Sequence, residues 1–261
     1  MPTDFAAHIA DLRNLGGQRV WSLMISLFGD LAQAEGDMID GPVLSAIMNT
    51  LQVKPEAVRV ALHRLRNDGW IVSQKSGRIS RHSLTEKGRR ESAAASPRIY
   101  AGPASHSEDW QVVLLRDTPA DTLAEMETRG YVSLFPRVLF GPVSATAPPD
   151  AMVLTGDTIP AWVRDQAAPD TLRGSYAALH RSLADLSGAL PPAPDLSAVE
   201  IAVLRCLIVH NWRRLVLKHP PLPRALVSDD WPGHRCHLLV VDLLDRFPRP
   251  ELTKIELHQA A

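Results

Sequence analysis

The sequence predicts an α+β protein in three parts, and three observations predict it. Two short helices followed by a basic hairpin lie near the N-terminus, short strands around one helix fill the middle, and helical periodicity fills the rest. The parts span residues 1–96, 108–158 and 159–261.

In the first part the opening dozen residues read as a weakly ordered arm. Gln18 to Leu31 then places Val20, Leu23, Met24, Leu27 and Leu31 at helical spacing. Gly41-Pro42 opens the next helix, with Pro42 at its first position. Lys54-Pro55-Glu56 starts another that runs to about Asp68 and ends at Gly69. Its apolar stripe is Val58, Leu62 and Leu65; Arg59, His63 and Arg66 lie opposite, with Lys54 and Arg64 nearby. Trp70 to Lys75, a Ser76-Gly77 turn and Arg78 to Leu84 form a hairpin. Two helices and a basic hairpin are the pattern of a winged helix-turn-helix, whose second helix suits a major groove and whose wing suits phosphates. Thr85 is placed to cap the helix that follows.

Charge agrees with that pattern. Between residues 54 and 90 ten Lys or Arg stand against Glu56, Asp68 and Glu86, a net +7 in a chain of net −1. A concentrated positive segment is the footprint of a nucleic-acid binder. The alternative, a solvated face of i, i+4 pairs, fits less well because the positive excess continues into the hairpin.

A Pro-, Gly- and Ser-rich stretch from Ser96 to Ser107 reads as a linker. Strands follow at Trp110 to Leu115, Tyr131 to Leu134, Arg137 to Phe140 and Met152 to Leu154, with a helix from Pro119 to Arg129. This order suggests a ferredoxin-like (Cas2-like) sheet, although Gly141 to Pro149 is too poor in helix signals for a full second helix. Later helices are expected at Asp170 to Leu186, from an Asp195 or Ser197 cap to about Lys218, and at Arg235 to Arg246, with a break at Pro191 to Pro194.

Composition narrows the class. The two cysteines, Cys206 and Cys236, rule out a disulfide scaffold and suit a cytoplasmic protein. No basic n-region precedes an apolar core at the N-terminus. The apolar run Ile201 to Val209 is too short to span a bilayer and contains Arg205.

The residues resemble the PaaX-like family of bacterial repressors, named for regulators of phenylacetic acid degradation. The resemblance lies in Leu27-Phe28-Gly29-Asp30, Ala57 to Trp70, Leu84 to Arg89, His210 to Pro220, Leu222-Pro223, Leu226 and Asp230-Trp231-Pro232-Gly233. It implies a winged helix-turn-helix, a ferredoxin-like middle domain and a helical C-terminal domain. It also implies a homodimer that represses catabolic genes from a double-stranded DNA operator and is released by an aryl- or acyl-CoA thioester. Asn211 stands where the family usually has an acidic residue, Arg137 where a small one is common, and the stretch before Met152 is shortened.

The DNA-binding candidates are Lys54, Arg59, His63, Arg64, Arg66, Lys75, Arg78 and Arg81. Arg59 either reads guanine or only contacts phosphate; Arg78 and Arg81 suit phosphate or the minor groove. His210, Trp212, Arg213 and Arg214 sit in one helical turn and are candidates for a CoA contact, against the alternative of domain packing. Asp30 reads as structural. His234, Cys236 and His237 lack a partner pair at zinc spacing, so no metal is expected. Asp117 follows the first middle strand, where some ferredoxin-like nucleases hold a metal. A metal-dependent nuclease is therefore the alternative function, with Asp117 equally able to cap a helix. No catalytic residue or cofactor is expected.

Overall fold

The computed structural model of the chain describes residues 5–16, 19–102, 109–156, 158–190, 195–219, 222–252 and 255. The elements in order are α1 (Phe5–His8), α2 (Ala10–Asn14), α3 (Val20–Leu31), β1 (Ile39–Asp40), α4 (Gly41–Thr50), α5 (Pro55–Asn67), β2 (Ile71–Ser76), β3 (Ile79–Leu84) and α6 (Glu86–Tyr100). There follow β4 (Trp110–Leu114), α7 (Ala120–Thr128), β5 (Val132–Phe135), β6 (Val138–Pro142), β7 (Met152–Thr155), α8 (Ala161–Ala167), α9 (Asp170–Ala189), α10 (Ala198–Val216) and α11 (Pro232–Arg246). The chain is α+β, with two antiparallel sheets.

Two compact units divide it: residues 1–102, 178–214 and 236–261 in one, and 103–177 and 215–235 in the other. The helices of 159–261 are therefore shared between the units.

In the first unit α3 and α10 are buried on all sides. Every residue from Leu23 to Phe28 is buried, as is every residue from Ala202 to Trp212, the mark of central helices rather than surface ones. They run antiparallel. Arg205 binds Asp30, His210 Nδ1 lies 3.1 Å from Ser26 Oγ, and Arg213 Nη2 donates to Ser22 Oγ at 3.1 Å. From residue 5 on the opening stretch is not an arm: α1, α2 and the residue between them bury Phe5, Ile9 and Leu12. Asn211 Nδ2 donates to the Leu12 and Leu207 carbonyls at 2.9 and 3.0 Å. A carboxylate at this position has no hydrogen for either bond, so the asparagine is matched to its surroundings.

Helix α5 buries Val58, Ala61 and Leu65, while Leu62 is only half-buried; the stripe is thus rotated slightly from the one expected. Its end is a Schellman motif. Gly69 is left-handed (φ 70°), Trp70 N donates to Leu65 O at 2.8 Å, and Gly69 N donates to Arg66 O at 3.0 Å. The same bonds end α4, from Val53 N to Met48 O and Gln52 N to Asn49 O, with Gln52 at φ 59°. A sheet of order β1-β3-β2 follows, turning at Gly77. The Thr85 cap is present: Gly88 N donates to its Oγ1 at 3.1 Å. A Cβ at Gly88 would overlap the Trp70 carbonyl, so only glycine lets α6 start this close to the hairpin. Helix α6 continues through Pro97 to Tyr100, five residues into the expected linker; 103–108 lie outside the described residues, as do 191–194.

The second unit is built on a four-stranded sheet of order β5-β6-β4-β7. Val113, Leu115, Met126, Tyr131 and Leu139 form one core cluster, with α7 over it. Gln111 Nε2 donates to Tyr131 Oη at 2.6 Å inside it. No helix lies between β6 and β7. Arg137, at φ 62°, occupies the tight β5–β6 turn in the left-handed region that favours glycine. Trp231 sits against Tyr176 and under Arg173, whose guanidinium carbon lies 5.6 Å from its ring centroid.

Candidate nucleic-acid interface

The face of α5 opposite its buried stripe carries Glu56, Arg59, Val60, His63, Arg66 and Asn67, all exposed. Lys54 lies exposed just before the helix. The candidate cations along this helix are not equivalent. Arg59 is 74% exposed and pairs with Glu56 at 3.3 Å. His63 Nδ1 accepts from Asn67 Nδ2 at 3.3 Å. Arg66 donates to Ser73 Oγ at 3.2 Å, which ties the helix to β2. Arg64 turns away from this face: its guanidinium stacks 4.5 Å from the Trp21 ring centroid on α3 and pairs with Asp68 at 3.4 Å. An arginine engaged on both sides is a packing element first.

On the hairpin, Lys75 and Arg78 are exposed. Arg81 Nε pairs with Asp40 Oδ1 at 3.1 Å, across the β1–β3 register. His82 is buried beside them and bonds Ser73 Oγ at 2.8 Å. Burial and the nearby Arg66 hold its pKa below the usual histidine value, so the base of the hairpin carries no histidine charge near neutral pH. The arrangement presents Lys54, Arg59, Arg66, Lys75 and Arg78 as accessible cations on a helix and the adjoining hairpin. Sequence reading passed over Glu56, Val60 and Asn67. Their signal was their place on the helix wheel, opposite Val58, Ala61 and Leu65.

The α10 candidates lie apart from this surface. His210 is fully buried against Ser26. Burial, reinforced by Arg213 and Arg214, pushes its pKa down to about 3. Trp212 is buried, stacks on His237 and donates to the Ile99 carbonyl at 3.0 Å. Arg214 donates to the Gly16 carbonyl. Arg213 lines a cavity of about 30 Å³, room for little more than a water. His210 and Trp212 spend their surfaces on α3 and α6, the domain packing that was the alternative to a CoA contact.

Asp117 lines a cavity of about 560 Å³ in the second unit with Arg116, Glu125, Arg129 and Asp150. Among the described residues no group of three or more His, Cys, Asp or Glu is placed to hold a metal ion.

The PaaX-like protein family matches residues 19–88, and the PaaX-like protein C-terminal domain matches 169–250. The chain belongs to the PaaX-like family. The two PaaX-like segments contain the α5 face and hairpin in one and α10 in the other; the four-stranded sheet lies between them. A relative, the transcriptional repressor PaaX of Escherichia coli (strain K12), is 27% identical over 250 residues, covering 86% of this chain and 79% of its own. Among solved structures, the uncharacterized protein Rv0674 from Mycobacterium tuberculosis is 21% identical, covers 86% of this chain and 95% of its own, and has a TM-score of 0.47.

Proposed function

We propose that this chain is a sequence-specific DNA-binding transcriptional repressor of the cytoplasm. Residues 1–96 act as a winged helix-turn-helix, with α5 in the major groove and the β2–β3 hairpin as the wing. The observation that carries the reading is the accessible cation set on α5 and the hairpin, at the centre of the segment of net charge +7. The family's repressor relative supports the same direction.

The strand order β5-β6-β4-β7, with α7 between β4 and β5, supports reading 108–158 as a ferredoxin-like (Cas2-like) middle domain that lacks its second helix. Residues 159–261 complete the protein and contribute effector or dimer contacts. Two copies grip a near-palindromic operator, and an aryl- or acyl-CoA such as phenylacetyl-CoA releases them by favouring another dimer geometry, which requires different affinity for the two. Phenylacetate catabolism is the regulated pathway on this reading. Among the described residues no helix is long and apolar enough to cross a membrane.

Fluorescence anisotropy on DNA from upstream of the gene tests this, run against random DNA across a salt series. Tight, salt-sensitive, sequence-preferring binding is expected, lost on adding phenylacetyl-CoA. Equal affinity for random DNA at every salt concentration refutes the repressor reading. Preference that survives the thioester refutes that effector alone.

A further inference from the structure

Val60 does not belong to the core of α5. Val58, Ala61 and Leu65 on the same helix are 9%, 4% and 1% exposed, whereas Val60 is 69% exposed, the most exposed large hydrophobic side chain among the described residues. A β-branched residue lowers helix propensity, and at this exposure Val60 gains little burial to offset that. One isolated valine on an ordinary surface calls for no explanation. This one lies on the outward face, one turn from Glu56 and His63, with Arg59 and Arg66 on the same face to position a phosphate backbone.

Base edges in the major groove present hydrogen-bond donors and acceptors, for which valine has no counterpart, and the C5-methyl of thymine, for which it does. Resting on the DNA-binding reading above, we infer that Val60 is a specificity residue that packs on the C5-methyl group of one thymine in the bound site. The contact distinguishes thymine from cytosine without a hydrogen bond. It excludes water from two apolar groups that are otherwise both wet.

The test removes that methyl alone. Duplexes are selected from a random-sequence library with the full-length chain, and each thymine of the enriched site is replaced in turn by deoxyuridine. At one position the replacement is expected to weaken wild-type binding about fourfold, the worth of one buried methyl group. Val60→Ala should bind the thymine duplex as wild type binds the deoxyuridine duplex, and should lose nothing further on replacement. Val60→Ser is a second variant with the same expectation; both are exposed substitutions that leave the core untouched. A scan with no loss at any thymine, or equal loss in wild type and variants, overturns the inference and leaves the DNA-binding reading standing. A library that yields no enriched sequence overturns both.

Discussion

Asp30 of α3 and Arg205 of α10 form a bidentate ion pair, with Nε and Nη2 each 2.8 Å from a carboxylate oxygen and both side chains buried. Arg249 and the Tyr100 hydroxyl donate to the same carboxylate at 3.1 and 3.0 Å. Arg205 Nη1 donates to the Leu244 and Phe247 carbonyls. The burial and hydrogen bonding at Asp30 push the Tyr100 hydroxyl pKa well above its ordinary value. Three stretches of chain thus converge on one carboxylate of α3, the helix that backs α5.

Removing Asp30 strands Arg205 as a buried charge, and removing Arg205 takes from the buried Asp30 its bidentate partner, leaving it Arg249 and Tyr100. Asp30→Ala and Arg205→Ala are each expected to lose about 3–5 kcal/mol of unfolding free energy in urea. Asp30→Leu combined with Arg205→Met should lose less than either single change, because no buried charge is left unpaired; Arg249, which also pairs with Asp30, is 53% exposed and can be solvated. A double variant as unstable as the sum of the singles contradicts this account.

His210 makes stability fall with acid. Its folded pKa of about 3 lies below the model-peptide value of 6.5. The unfolded chain therefore binds a proton below pH 6.5 that the folded chain refuses. The stabilisation is complete above that pH and is lost as pH falls towards the folded value. From pH 7 to pH 5 the loss from this residue is about 2 kcal/mol. His82, shifted in the same direction, adds to it. Chemical denaturation at the two pH values should show a smaller difference in His210→Asn than in wild type.

The cations of α5 and the hairpin should separate by role. Arg78→Ala is expected to weaken operator and random DNA equally and to reduce the slope of log K against log salt by about 1. Arg59→Ala should lower discrimination itself, by about 1–3 kcal/mol if the arginine grips guanine. Equal losses on both DNAs would assign Arg59 to the phosphates.

Gln52 holds a left-handed backbone at the end of α4. Gln52→Gly removes the Cβ clash of that conformation and is expected to stabilise the protein by about 1 kcal/mol. A thermal midpoint unchanged or lowered in the variant would show that the glutamine side chain contributes more than its strain costs.

The first unit's local structure was legible because its signals are local. Pro55, the spacing of Val58 and Leu65, Gly69, Gly77 and the Thr85 cap act within a few residues, and each appears where periodicity and turn chemistry place it. The middle strands were legible for the same reason. Helices α1 and α2 were not, because Phe5, Ile9 and Leu12 are too few to mark a helix by themselves and fold onto a core completed by distant residues. Helix α6 ran past the signal of Pro97 because Ile99 and Tyr100 have partners on other elements: Ile99 O accepts from Trp212 and the Tyr100 hydroxyl binds Asp30.

The sequence by itself determined most of the helices, strands and turns, α1, α2 and the last turn of α6 apart, and gathered positive charge between residues 54 and 90. Hydrogen bonding within a helix or hairpin, and the period of its apolar residues, need only neighbouring side chains. Only the tertiary structure decided which charges are spent and which remain available. Arg64 is committed to Trp21 and Asp68, Arg81 to Asp40, and Arg205 to an aspartate 175 residues away, while Arg59 and Val60 face outward. Those partners meet only when packing brings distant segments together, and no local rule specifies where a distant segment will lie.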